Sequence, residues 1–69
     1  MKILEITNLL KDATKVKVHS KYHSDTTNQM YMIDTTAGAL TSEMLGNYER
    51  YEVRDIQFKP PNIWVLSID

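Results

Sequence analysis

The segment Ile63-Trp64-Val65-Leu66-Ser67-Ile68 constrains the fold more than any other part of the chain. Successive strand residues point to opposite faces, and here both parities are apolar, so a strand built from this run has to be covered on both sides. It belongs at the centre of a sheet or in an interface. Either way the remaining residues have to supply neighbours for it.

They supply three further β-prone segments. From Lys15 the sequence alternates with a period of two: Val16, Val18, Ser20 and Tyr22 take one face, and Lys15, Lys17, His19, Lys21 and His23 take the other. The polar stretch Ser24 to Asn28 reads as a turn, and Met30 to Thr35 as a second strand, so the two form a hairpin. Tyr51 to Lys59 alternates imperfectly, since Tyr51 and Val53 share one parity and Ile56 and Phe58 the other; a bulge near Arg54-Asp55 reconciles them. Pro60-Pro61-Asn62 cannot continue a ladder and turns the chain into the final strand.

Two segments carry helical signals. Ile3, Ile6, Leu9, Leu10 and Ala13 recur at helical spacing, so residues 3 to 12 read as one amphipathic helix. Thr41 has the chemistry of an N-cap, Leu40 and Leu45 occupy staple positions, and Gly46 or Asn47 can end a helix of one or two turns. The expected fold is therefore α+β, in the order helix, strand, strand, short helix, strand, strand. Its mainly antiparallel four-stranded sheet carries the N-terminal helix on one face, above Val16, Val18, Ile56, Phe58, Trp64, Leu66 and Ile68.

Sixty-nine residues make one domain, 1–69, with one core. A chain this short buries only about 60% of the surface its unfolded form exposes. The usual additional supports are disulfides, a metal or a partner subunit. There is no cysteine, which removes disulfides, zinc knuckles, CxxC redox sites and a thiolate nucleophile. Self-association remains, and with the doubly apolar run 63–68 it gives the expectation of a homodimer. Glu5, Asn8 and Asp12 interrupt the N-terminal apolar stretch, which also lacks a small-residue cleavage site, so no signal peptide is expected. No apolar run reaches the roughly 18 residues that a membrane span needs, and the expected location is the cytoplasm. A net charge of −1 favours neither a polyanion binder nor an acidic mimic of DNA.

The most distinctive candidate for chemistry is the alternating row Lys15, Lys17, His19, Lys21, His23. Lysines at this spacing suit sequence-independent contacts with phosphates or an acidic protein surface. They equally suit a solvated strand face protected against edge pairing, which is the preferred reading because phosphate binding usually shows more arginine, interleaved aromatics and a basic total. On one continuous strand His19 and His23 would stand about 13 Å apart, too far to share a zinc ion. No cofactor is expected.

His23-Ser24-Asp25 has the residue types of a hydrolase triad, but adjacency does not produce triad geometry, and the triplet reads as turn chemistry. Glu43, Glu49, Glu52 and Asp55 with Arg50 and Arg54 read as surface ion pairing. Tyr22, Tyr31, Tyr48, Tyr51, Met30, Met32 and Met44 are residue types favoured at contact surfaces. The parity of residues 30–33 requires one set to face away from the core, while Met44, Leu45 and Tyr48 are expected to pack beneath the short helix. Lys15, Lys17, His19, Lys21, Tyr22 and Tyr31 are the candidate contact residues.

The segments Met1 to Ile6, Ala37 to Leu45, and Tyr51 to Ile56 leading to Trp64 to Ile68 together span nearly the whole chain. Their layout resembles small uncharacterised proteins encoded by phages and mobile elements of low-GC Gram-positive bacteria. The resemblance implies a phage accessory protein that acts by binding in the cytoplasm of a bacterial host cell. Inhibitors of host defence, including anti-CRISPR proteins, are found among such genes. The expected function is a non-catalytic protein-binding module whose partner is a bacterial host protein, in its most concrete version a CRISPR nuclease that it inhibits. A nucleic-acid-associated accessory protein using the basic strand 15–23 is the alternative; an enzyme and a membrane partner are not expected.

Overall fold

A computed structural model describes residues 1–69. The elements are α1 (Ile3–Thr7), β1 (Lys15–His19), α2 (Lys21–Thr27), β2 (Ile33–Thr36), α3 (Ser42–Leu45) running into a 3₁₀ turn (Gly46–Arg50), β3 (Asp55–Lys59) and β4 (Ile63–Ser67). The sheet order is β2-β1-β4-β3. β1 pairs antiparallel with β2 and parallel with β4, and β3 and β4 form an antiparallel hairpin. The fold is thus α+β with a mostly antiparallel sheet. β4 lies between β1 and β3, the central position expected of it, but only its Leu66 and Ile68 side faces the core, so the expected cover on both faces is not met.

One face of this sheet makes the core. Val16 and Val18 of β1, Ile33 of β2, Leu66 of β4 and the following Ile68 pack with Ile3 and Ile6 of α1, Ala37, Leu40, and Leu45 of α3. The register places Val18 beside both Ile33 and Leu66, so consecutive strands send apolar side chains to the same side. α3 forms as its sequence predicts. Thr41 Oγ accepts from the Met44 N–H at 3.3 Å, Leu40 and Leu45 are both buried, and Gly46 leaves the helix at φ 55°. Met44, however, is exposed; only Leu45 and Tyr48 of that trio reach the core.

Gly38 has a separate steric duty. Its N–H donates to the Asp12 carbonyl at 3.0 Å, and a Cβ there would lie 2.8 Å from the Asp12 Cβ, so the loop before α3 closes against the loop before β1 only with glycine.

Four further expectations are corrected. α1 ends at Thr7 rather than Asp12. The Leu9 and Leu10 amides turn back to Ile6 and Thr7, three residues behind them, and the Thr7 hydroxyl donates to the Leu4 carbonyl, so the helix tightens and stops. Leu9 leaves the apolar stripe and is 76% exposed.

Residues 20 to 27 are no strand and turn. Ser20 caps α2, its Oγ accepting from the His23 N–H, and Asn28 ends the helix at φ 60°. The His23-Ser24-Asp25 triplet is therefore helical.

Finally, Ile56 and Phe58 are exposed and Trp64 is only half-buried. Five helical residues span about 7.5 Å, whereas four strands span about 14 Å, so a helix this short cannot roof the sheet as far as β3. The imperfect alternation of 51–59 needs no bulge either, because the strand begins at Asp55. Glu52 instead bridges Lys2, and the Val53 N–H donates to the Met1 carbonyl at 2.8 Å.

Candidate binding face

The second face of the sheet carries no helix packed into a core, and it collects most of the contact residues picked out in the sequence. The register aligns Lys15 with Thr36 and Ile63, Lys17 with Asp34 and Val65, and His19 with Ser67. β3 adds Lys59, Gln57 and Asp55 opposite Ile63, Val65 and Ser67. Cross-strand partners share a face, so these residues form one surface opposite the core.

Lys17 is the most constrained side chain on that surface. Its Nζ lies 4.8 Å from the centre of the Tyr31 ring and 3.7 Å from Asp34 Oδ2. The ammonium is held between an aromatic face and a carboxylate, a cation–π contact worth about 0.5–1 kcal/mol at an exposed site. Two shallow depressions flank it. One, of about 310 Å³, has His19, Met30, Tyr31, Lys59 and Val65 in its lining. The other, of about 270 Å³, lies among Lys15, Lys17, Asp34, Thr36 and Ile63. Val65 is 6% exposed although it stands on the side away from the core, and Met30 beside it is 66% exposed. A further depression near Lys2, Gly46, Glu49 and Arg50 has no apolar lining.

Lys15, Lys17, His19 and Tyr31 are thus brought together, whereas Lys21 and Tyr22 are not. They form the first turn of α2 and leave the row where the strand stops at His19. Tyr31 also departs from its expected parity with Ile33. β2 begins only at Ile33, and the segment before it sends Tyr31 to the open face while Met32 packs against the core. Met30, one of the residue types favoured at contacts, joins them, and Val65, Gln57 and Lys59 complete the surface without having stood out in the sequence. Once the strand order β2-β1-β4-β3 is known, parity alone places Val65, Gln57 and Lys59 there.

No three His, Asp or Glu side chains converge as metal ligands. No protein-family model, curated protein or solved structure matches the chain.

The α2 end of this region is tied down by Asp69. Its Oδ1 accepts from the Lys21 N–H at 2.6 Å, and its Oδ2 accepts from the Tyr22 N–H at 3.3 Å and from the Ser20 hydroxyl at 2.9 Å. Burial opposes ionisation of this carboxyl, but the two backbone donors, the Ser20 hydroxyl and the charge of His19 outweigh it and hold the pKa below the ordinary carboxylate value. A depressed folded pKa gives stability that is present above the unfolded value and lost as the pH falls through the folded one. Asp69→Asn is therefore expected to cost about 1 kcal/mol near neutral pH. It should also flatten the acid limb of the stability curve below the ordinary carboxylate range, as urea titrations at stepped pH will show.

Arg50 and Arg54 form no ion pair, so the expected surface ion-pair network is absent. Glu52 pairs instead with the Met1 ammonium at 2.9 Å. Their hydrogen bond lowers the Glu52 pKa and raises that of the amine.

Proposed function

We propose that this chain is a non-catalytic protein-binding module that uses the open face of its sheet. One observation carries the reading: the sheet buries its core on one side only, and the other side holds a pre-positioned Lys17–Tyr31–Asp34 cluster beside the Val65 depression. Tyrosine and methionine are enriched at interfaces, and a side chain already held in place loses little freedom on binding. The fitting partner inserts a small apolar side chain over Val65 and sets a carboxylate against Lys15 or Lys59. In its most concrete version the partner is a bacterial CRISPR nuclease that the chain inhibits, which rests on the resemblance of segments 1–6, 37–45, 51–56 and 64–68 and on no side chain of the face.

Light-scattering mass on a size-exclusion column, with the chain alone and with a guide-loaded CRISPR nuclease, tests that version. A co-migrating complex that slows DNA cleavage is expected; separate elution at micromolar concentrations contradicts it.

Lys15, Lys17 and Lys59 on one face also support the alternative, a nucleic-acid-associated role. Asp34 and Asp55 on the same face oppose it.

A further inference from the structure

β3 closes the sheet at one end, so alternate backbone N–H and C=O groups along it point away from any neighbour. All five of its residues are exposed, and on the core side Ile56 and Phe58 stand beyond the cover of the helices, with the Phe58 ring 5.0 Å from that of Trp64. The sequence Asp55-Ile56-Gln57-Phe58-Lys59 is symmetric in its chemistry about Gln57: carboxylate, apolar, amide, apolar, ammonium. If a second copy runs antiparallel along this edge with a two-fold axis at Gln57, Asp55 faces the partner's Lys59, Ile56 faces the partner's Phe58, and Gln57 faces its own copy. A two-fold interface requires self-complementarity of this kind.

Other registers fail. A slip of one residue sets the partner's Phe58 opposite Asp55 and turns its helices to the other side. A slip of two sets neither Asp55 nor Lys59 opposite its counterion. The opposite edge, β2, has only Asp34 as a charge and no cation to answer it.

We propose that the β3 edge is a homodimer contact, joining two four-stranded sheets into one of eight strands. The expectation of a dimer from the sequence rested on 63–68, but both edges of β4 are already paired within the chain, and the free edge is the neighbouring strand. A five-residue strand edge falls well short of the roughly 800 Å² per partner of a standard interface, so the dimer is weak and depends on concentration. It places both open faces on the same side, doubling the binding surface. The contact stands independently of what that surface binds.

Sedimentation equilibrium from about 10 to about 500 μM tests it, over a range suited to an interface of this size. The wild-type mass is expected to rise towards that of two chains. Asp55→Lys and Lys59→Asp each set like charges face to face at both ends of the ladder and are expected to weaken association roughly tenfold. An equimolar mixture of the two variants restores opposite charges at both ends, so its dimer is expected to recover wild-type strength. Trp64 emission verifies that each variant is folded. A wild-type chain that stays monomeric across the range, or a mixture that associates no better than the separate variants, overturns the proposal.

Discussion

Leu66→Ala is expected to leave the domain largely unfolded at 37 °C, while Leu9→Ala leaves it almost unchanged. Leu66 is fully buried between the strands and the helices, in contact with the cluster that contains Ile3, Val16 and Val18. Removing three of its carbons loses their transfer free energy and opens a cavity that the rigid strand neighbours cannot fill, a cost of about 3–5 kcal/mol. A domain of this length has a total stability of roughly 3–10 kcal/mol. Leu9 is 76% exposed, and the same substitution there is expected to change stability by less than about 0.5 kcal/mol. Thermal unfolding followed by far-UV circular dichroism and by the emission of Trp64 separates the two cases. Similar losses in both variants would mean that the core does not lie on the face assigned to it.

The second large effect concerns binding. Lys17→Glu combined with Tyr31→Ala is expected to weaken partner binding about thirtyfold or more while costing less than about 1.5 kcal/mol of stability. Both side chains lie on the side of the sheet that holds no core, so the loss of fold stability is limited to their own contact and the Lys17–Asp34 pair. Binding loses more. Tyrosine at the centre of an interface commonly contributes several times the contribution of its neighbours, and a glutamate in place of Lys17 sets a negative charge beside Asp34 where the partner's carboxylate would come to rest. Isothermal titration with the captured partner, alongside urea denaturation of the free variant, keeps the two effects apart. Unchanged affinity in a folded variant would place the contact elsewhere.

The sequence and the structure agree where signals are local or where burial is complete. The doubly apolar run 63–68, the alternation of Val16 and Val18, the Thr41 cap with Leu40 and Leu45, and the Pro60-Pro61 turn each need only a few neighbouring residues to be read. α2 illustrates the opposite case. Ser20 continues the alternation of β1 and reads with it, whereas its hydroxyl starts a helix whose first amides are held by Asp69, 49 positions away from Ser20. With no buried residue of its own, that helix has no apolar stripe to reveal it.

The expected α1 runs too long for a related reason: Leu9 and Leu10 keep the helical spacing after the hydrogen bonding has already tightened at Thr7. The exposure of Ile56 and Phe58 follows from that shortening and from the strand order, neither of which is encoded in alternation. Of the binding face, the row Lys15, Lys17, His19 was legible because period two is a strand property. The contribution of Val65, Gln57 and Lys59 depends on which strands become neighbours, and the parallel pairing of β1 with β4 decides that.

The most direct test of the binding reading is a parallel capture experiment from bacterial lysate, using the tagged wild-type chain and the tagged Lys17→Glu, Tyr31→Ala variant, with bound proteins quantified by mass spectrometry. At least one protein is expected to be enriched on the wild type and lost from the variant. A chain that repeatedly enriches nothing, or two chains that enrich the same proteins equally, would contradict a binding role for the open face.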